Sequence, residues 1–303
     1  MANKIHTQVT RRKAILGFSL AFLAAVGFSA KAILVKLAYA YPVDAISLLA
    51  LRMLFSAPIF LLVAVRHLFK HNQPRLTAKD YLALLFLGIS GYYLSSLFDF
   101  IGLQNISASL ERLILFLYPT FVVVLSALFL HKPFGRKEIL ALLISYAGIT
   151  VVFFEQLNIH VEHLYLGAGF VFASTLTYAF YLIGTGEFVA KIGASRFTAY
   201  AMLIASSATL AQFFYQHPVQ NLYLPCKVYE YAFYMAVFST VLPVFMLSAA
   251  IRLIGSSHTS LIGSIGPVAT LGMASLFLGE QLTTLQIIGA GLVILGVFSL
   301  TIK

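Results

Sequence analysis

The chain has 303 residues, of which 60% are hydrophobic and 10% charged, and its formal net charge is +10. A soluble domain carries about 25% charged residues, so a soluble fold of this length is excluded and the chain reads as an integral membrane protein. A single cysteine, Cys226, excludes an internal disulfide and offers no metal-ligand spacing. The basic residues are scattered through short connections rather than gathered on one face or tail, which argues against a nucleic-acid partner.

A membrane-crossing helix needs about 20 mostly apolar residues. In chain order the stretches that qualify run approximately over 13–39, 44–69, 80–103, 107–130, 136–154, 164–187, 195–216, 229–252, 257–279 and 284–302. The first begins like a signal peptide, with Arg11-Arg12-Lys13 before an apolar run. That run continues to about Tyr39, beyond the about 7–15 residues of a signal core, and Phe28 stands where cleavage after Ala30 needs a small residue. It is therefore expected to be an uncleaved helix. Its Gly17, Ala21, Ala25 and Ser29 fall at four-residue spacing, a stripe that lets another helix approach closely. Between the spans lie short connections marked by Pro, Gly, Asn or charge, such as Tyr41-Pro42, Gln104-Asn105 and His217-Pro218.

Lys and Arg favour cytoplasmic loops. With the N-terminus inside and the sides alternating, the inside connections collect Lys4, Arg11, Arg12, Lys13, Arg66, Lys70, Arg75, Lys79, Lys132, Arg136, Lys137, Lys191, Arg196, Arg252 and Lys303. Only Lys227 falls outside. Ten spans with both termini cytoplasmic are expected, in a bacterial inner membrane, with the lipid bilayer as the principal surrounding.

The chain also repeats itself. Pro119 and Pro267 stand 148 positions apart (267 − 119), and the same shift lays Ser109 on Ser257, Leu113-Ile114 on Leu261-Ile262, Leu128-Phe129-Leu130 on Leu276-Phe277-Leu278 and Gly148 on Gly296. Two five-span halves, 1–154 and 155–303, follow. An odd number of spans per half makes the second start from the opposite side, and the charges agree. The basic Lys132–Lys137 connection corresponds to Gly279-Glu280-Gln281, which has no base. Such inverted repeats are the recurring plan of secondary transporters, whose substrate sites lie near the membrane middle. The expected fold is thus all-α and polytopic, with ten transmembrane helices in two inverted-topology repeats.

Each half ends in an apolar helix with a proline, a short polar turn and a helix rich in small residues. In the second half these are Gly266-Pro267, Leu278-Gly279-Glu280, Gln286, Gly289, Gly291 and Gly296; the first keeps Tyr118-Pro119 and Gly148 but has His131-Lys132 at the acidic turn. This pattern resembles the EamA type of the drug/metabolite transporter superfamily. The resemblance implies a permease for small metabolites, such as amino acids or related polar or amphipathic compounds, and most often export.

Ionisable groups within spans face a cavity or a partner. The first half holds Lys31, Lys36, Arg52, Asp99, Glu111 and Arg112, all in the outer half of the membrane by residue counting. Lys36 and Asp99 are expected near enough to the outer end to snorkel. Glu111 and Arg112, as helix neighbours, point about 100° apart and need separate partners. Glu111 with Lys31 or Arg52, and Asp99 with Arg112 or Arg52, would leave positive charge over. That surplus suits an anionic substrate group, and an acid released in the exchange suits a coupling proton; a static lock closing the outer end fits the same residues.

Tyr178 and Tyr181, at helical i, i+3 spacing, are candidate substrate contacts or packing residues. His258 is a candidate proton relay or an interfacial residue. Pro119 and Pro267 are candidate hinges or static kinks. No enzyme or nucleotide-binding signature occurs, so no cofactor is expected. Transport would be driven by a gradient or by exchange, through alternating access to a central cavity. A receptor, a scaffold, or an intramembrane enzyme using Glu111 or Asp99 is the rival class.

Overall fold

The computed structural model describes residues 2–69, 74, 76–131, 135–158, 162–263 and 265–301. Every regular element among them is helical. In chain order these are α1 (Ala2–Ala38), α2 (Ala45–Leu68), α3 (Ala78–Gly88), α4 (Ser95–Asn105), α5 (Ala108–Leu115), α6 (Tyr118–Leu130) and α7 (Arg136–Asn158). The remainder are α8 (Leu164–Ile192), α9 (Ala194–Gln216), α10 (Cys226–Ala236), α11 (Leu242–Gly263), α12 (Gly266–Leu278) and α13 (Thr284–Thr301). A π-helical turn, Ile89–Leu94, joins α3 to α4, and a second, Val237–Val241, joins α10 to α11. Among the described residues, seven stretches are long and apolar enough to cross a membrane, and three shorter apolar helices accompany them: Leu142–Phe154, Gly266–Leu278 and Thr284–Gly296.

Local chemistry accounts for the ends. Asp44 caps α2 by accepting from the backbone of Ile46 and Ser47 at 2.9 and 3.0 Å. Thr77 and Asp80 form a reciprocal capping box on α3. Ser107 caps α5. Pro119 and Pro267 each lie in the first turn of a new helix, α6 and α12, where a missing N–H costs nothing. The proline kinks expected inside spans are therefore helix breaks, with Phe116-Leu117 as the joint in the first half. Both of these helices end on a left-handed residue, His131 at φ 51° and Gly279 at φ 68°.

The repeat reaches down to these irregularities. Shifting by 148 carries α3 onto α10, α6 onto α12 and the first residue of α7 onto that of α13. It also carries the π turn starting at Ile89 onto the one starting at Val237, and His131 onto Gly279. A departure occurs after Asn105, where the first half has an extended residue, Ile106, while α11 continues helically.

Even so, α11 is not straight. Gly17 of α1 packs on Leu253 and Ile254, and Gly27 packs on Phe238 and Pro243, so the two helices run antiparallel. Ser29, about 18 Å further along α1 than Gly17, donates to the Gly266 carbonyl at 2.9 Å. Gly266 therefore sits level with the start of α11, and the chain doubles back between Ile254 and Gly266.

The main helix pairings are α1 with α11, α7 with α13, α2 with α9 and α4 with α8. The 148 shift exchanges the first pairing with the last and returns the other two to themselves. Small residues permit these contacts. Gly148 and Gly289 meet backbone to backbone where α7 crosses α13, and Gly102 and Gly167 do so where α4 crosses α8. Large apolar side chains such as Leu62, Phe69 and Leu276 remain outward and exposed, while polar ones such as Ser95, Ser174 and Thr175 are buried between helices. This is the arrangement of a chain solvated by lipid.

Because backbone atoms line the Gly148 contact, neither helix can yield to a side chain there. Gly148→Leu is expected to lower stability by about 1–3 kcal/mol, read as a lower unfolding temperature in detergent. Gly272, whose Cβ direction is open, should accept leucine without loss.

Candidate functional site

Four helices bring their ionisable side chains together: Lys31 from α1, Arg52 from α2, Asp99 from α4, and Glu111 and Arg112 from α5. Lys31 Nζ lies 2.6 Å from Asp99 Oδ2 and 3.3 Å from Glu111 Oε1. Asp99 is 1% exposed and Glu111 0%. The expectation that Asp99 snorkels to the interface is corrected: it lies between helices because Lys31 reaches inward to it. The two carboxyl groups thus meet at one ammonium. Neither Glu111 oxygen accepts a bond from an N–H or O–H donor.

Neither arginine takes the acid partner anticipated for it. Arg52 donates from Nη2 to Ser96 Oγ at 3.0 Å, and its guanidinium lies over the Phe100 ring, 5.1 Å from the centroid. Ser96, Asp99 and Phe100 share one face of α4 by their i, i+3, i+4 spacing, so Arg52 and Lys31 approach the same helix face. Arg112 lies directly against Gly266 at the start of α12, where any Cβ would collide with its guanidinium. The Nε atoms of both arginines are buried without a partner. Among the described residues, then, one ammonium serves both acids, and two guanidinium groups form no ion pair.

Lys36 is held by backbone rather than by an acid. It donates to the carbonyls of Leu103 and Ile106 at 3.1 and 3.0 Å, closing the C-terminal end of α4 with a cation where the helix dipole favours one.

A run of tyrosines stands beside the break between α5 and α6. Tyr118 meets Tyr178 edge-on at 5.5 Å, Tyr178 stacks on Tyr181 at 5.7 Å, and Tyr181 meets Tyr92 at 5.0 Å with the hydroxyls 3.2 Å apart. The π turn makes this possible, because Gly91 has no Cβ to collide with the Tyr181 ring. Tyr181 is buried. Tyr178 is half-buried, and its hydroxyl, like that of Tyr118, forms no hydrogen bond among the described residues. The side chain of His258 lies outside the described residues.

Several participants are absent from a reading of the sequence alone. Ser96 and Phe100 were detectable only as the i−3 and i+1 neighbours of Asp99. Glu280 is the larger omission. Its carboxylate accepts from the backbone N–H groups of Ala108 and Ser109 at 2.9 and 3.3 Å and from Ser109 Oγ at 2.5 Å. An acid from the second half thus covers the N-terminal end of α5, the helix that carries Glu111 and Arg112. The equivalent position in the first half is Lys132, whose side chain has no acceptor for such a role.

These features, helices interrupted within an apolar bundle and ionisable groups gathered at the interruptions, define a multi-pass membrane transporter. The model of the EamA-like transporter family matches residues 15–154 and again 165–302. The chain belongs to that family. It is 30% identical over 286 residues to the uncharacterized transporter YcbK of Bacillus subtilis, covering 92% of this chain and 91% of that one. It is also 30% identical over 233 residues to YyaM of the same organism, covering 76% and 75%. An uncharacterized transporter of Archaeoglobus fulgidus is 25% identical over 225 residues. One crystal structure superposes with a TM-score of 0.64 over 95% of this chain and 96% of the other, at 14% identity, a likeness of fold.

Losing Lys31 would leave two buried acids with no cation. Lys31→Met is expected to cost about 3–5 kcal/mol, seen as a lower unfolding temperature. Adding Asp99→Asn and Glu111→Gln to it should restore most of that loss.

Proposed function

We propose that this protein is a secondary-active transporter of small metabolites working by alternating access, with ten spans in two inverted repeats, residues 1–154 and 155–303. The observation that carries this reading is the cluster of Lys31, Arg52, Asp99, Glu111 and Arg112 beside an interrupted helix, with Arg52, Asp99 and Glu111 buried, in a family of transporters. A membrane protein with only a structural role has little use for five charges gathered in its interior, where each is costly.

The ten-span alternation draws support from contacts at the helix ends. Asp44 lies 3.5 Å from His217, and Glu280 reaches the start of α5; alternation assigns each of these pairs to the outside. Asp80 pairs with Lys191 at 2.6 Å, and alternation assigns both to the inside. The inverted relation is favoured by the exchange of α1–α11 with α8–α4. Both termini are then cytoplasmic, in the inner membrane of a bacterium.

The cargo in this reading is a small polar or amphipathic metabolite bearing an anionic group, an amino acid or a related compound. Arg52 and Arg112 supply unneutralised positive charge, and the half-buried Tyr118 and Tyr178 supply aromatic surface with free hydroxyls. Export is the direction, with a proton gradient or substrate exchange as the driving force.

Purified protein in proteoliposomes, screened with pooled labelled metabolites with and without a pH gradient, tests this. Saturable flux of one anionic class is expected. Arg52→Ala should lower it at least about tenfold, the loss of one charge-assisted contact, at matched protein content. Absence of flux from folded protein across a broad pool would sink the reading. Glu111→Gln is expected to abolish acceleration by the pH gradient while the exchange of internal for external substrate persists.

A further inference from the structure

The transporter reading leaves open which group takes a coupling ion, and the buried acids answer it. Asp99 and Glu111 face each other in a space that admits essentially no water, with a single ammonium between them. Two ionised carboxylates in contact repel strongly at low dielectric, and one cation neutralises one of them. A proton on one acid removes the repulsion and supplies the hydrogen bond that their mutual approach otherwise lacks.

The geometry distinguishes the two. Asp99 Oδ2 holds Lys31 at 2.6 Å, the length of a strong charge-assisted bond, so Asp99 is the ionised partner. Glu111 Oε1 is 3.3 Å from the same ammonium without accepting a bond from it, and neither Glu111 oxygen has any other donor. An ionised carboxylate would not be left so in an apolar interior. We infer that Glu111 is a proton-binding site: in this conformation it is a neutral acid that donates its hydrogen bond to Asp99, while Lys31 and Asp99 form the ion pair.

Among the described side chains, the charged groups around Glu111 are few. From α1 come Lys31 and, further out, Lys36, which is committed to the carbonyls of Leu103 and Ile106. From α4 comes Asp99. On α5 itself, the neighbouring Arg112 lies against Gly266 and acts on Glu111 through space rather than by a direct contact. Helix α12 contains no ionisable residue. Helix α8 approaches α5 through Thr175, which donates to the Ile114 carbonyl, while its Lys191 is held by Asp80. Helix α7 begins with Arg136, which is exposed.

Releasing the proton therefore requires rearrangement. The anion of Glu111 would share the single ammonium of Lys31 with Asp99, which leaves one negative charge over that a shift in packing must relieve. Movement of α1 relative to α4 and α5 is the means. Proton loss and a change in helix packing are one event, which is what coupling a proton gradient to transport demands; for that consequence, the inference rests on the transporter reading.

Infrared spectroscopy of the purified full chain in lipid tests the site without any substrate. The probe is the proton itself. Wild type should show the carbonyl stretch of a buried, protonated carboxylic acid at neutral pH, fading on alkaline titration. The band should shift when glutamate is labelled with carbon-13 and stay in place when aspartate is labelled. It should vanish in Glu111→Gln and persist in Asp99→Asn. A wild type without the band, or a band that follows the aspartate label or survives Glu111→Gln, overturns the assignment. The labelling arm decides between Glu111 and Asp99 even if Glu111→Gln does not fold. The expected band in a protein without gradient-driven flux would refute the coupling and leave the proton site standing.

Discussion

The need to place charge inside a membrane without leaving it alone governs this structure. Lys31 on the first helix is held between acids on the fourth and fifth, so the start of the chain is tied at one point to two consecutive helices much further along it. In water such a link would be worth little. Between apolar helices the alternative is an unpaired charge in a medium that cannot solvate it, and the penalty for separation rises accordingly. The same logic sends Lys36 to the open carbonyls at the end of α4 and Arg52 to the face of Phe100. These three cations are placed where something negative or polarisable meets them, whereas Arg112 lies against Gly266 with its Nε unpartnered.

A second constraint acts on the backbone. A helix in lipid satisfies its own hydrogen bonds, so interruptions are tolerated only where protein surrounds them. Here they gather around the charged cluster: the joint before Tyr118, the π turn that lets Tyr181 settle over Gly91, and the start of α12 against Arg112. They recur at a constant shift of 148 residues, so the irregularities belong to the repeated unit. Where the halves differ, chemistry accompanies the difference. The first half breaks its helix at Ile106 and receives Glu280 from the other half at the new N-terminal end. The second half turns back after Ile254 without such an extended residue, and the first half's lysine at position 132, where the second has Glu280, matches that asymmetry.

Sequence-level reasoning succeeded wherever a property is set by composition or by periodicity. Apolar content alone requires a membrane. The spacing of Gly17, Ala21, Ala25 and Ser29 announces a close helix contact, and α11 and α12 make it. The gapless shift announces matching halves, and helix ends such as those of α6 and α12 coincide under it. It also selected Lys31, Arg52, Asp99, Glu111 and Arg112 as the charges to account for. The pairing among them was legible only in part. Glu111 beside Lys31 was one of the alternatives and is found, but Asp99 was assigned to an arginine, whereas the same lysine holds it.

The reason lies in what each level of description contains. Burial, span length and repeat are properties of a segment and its solvent, so the linear order of residues determines them. Which charge meets which depends on the rotation of each helix about its axis and on its depth beside its neighbours. Those are set by the glycine crossings, by the breaks before Tyr118 and Gly266, and by Glu280 reaching across from the other half. Only the tertiary structure decided them, because no single segment carries the geometry of its partner.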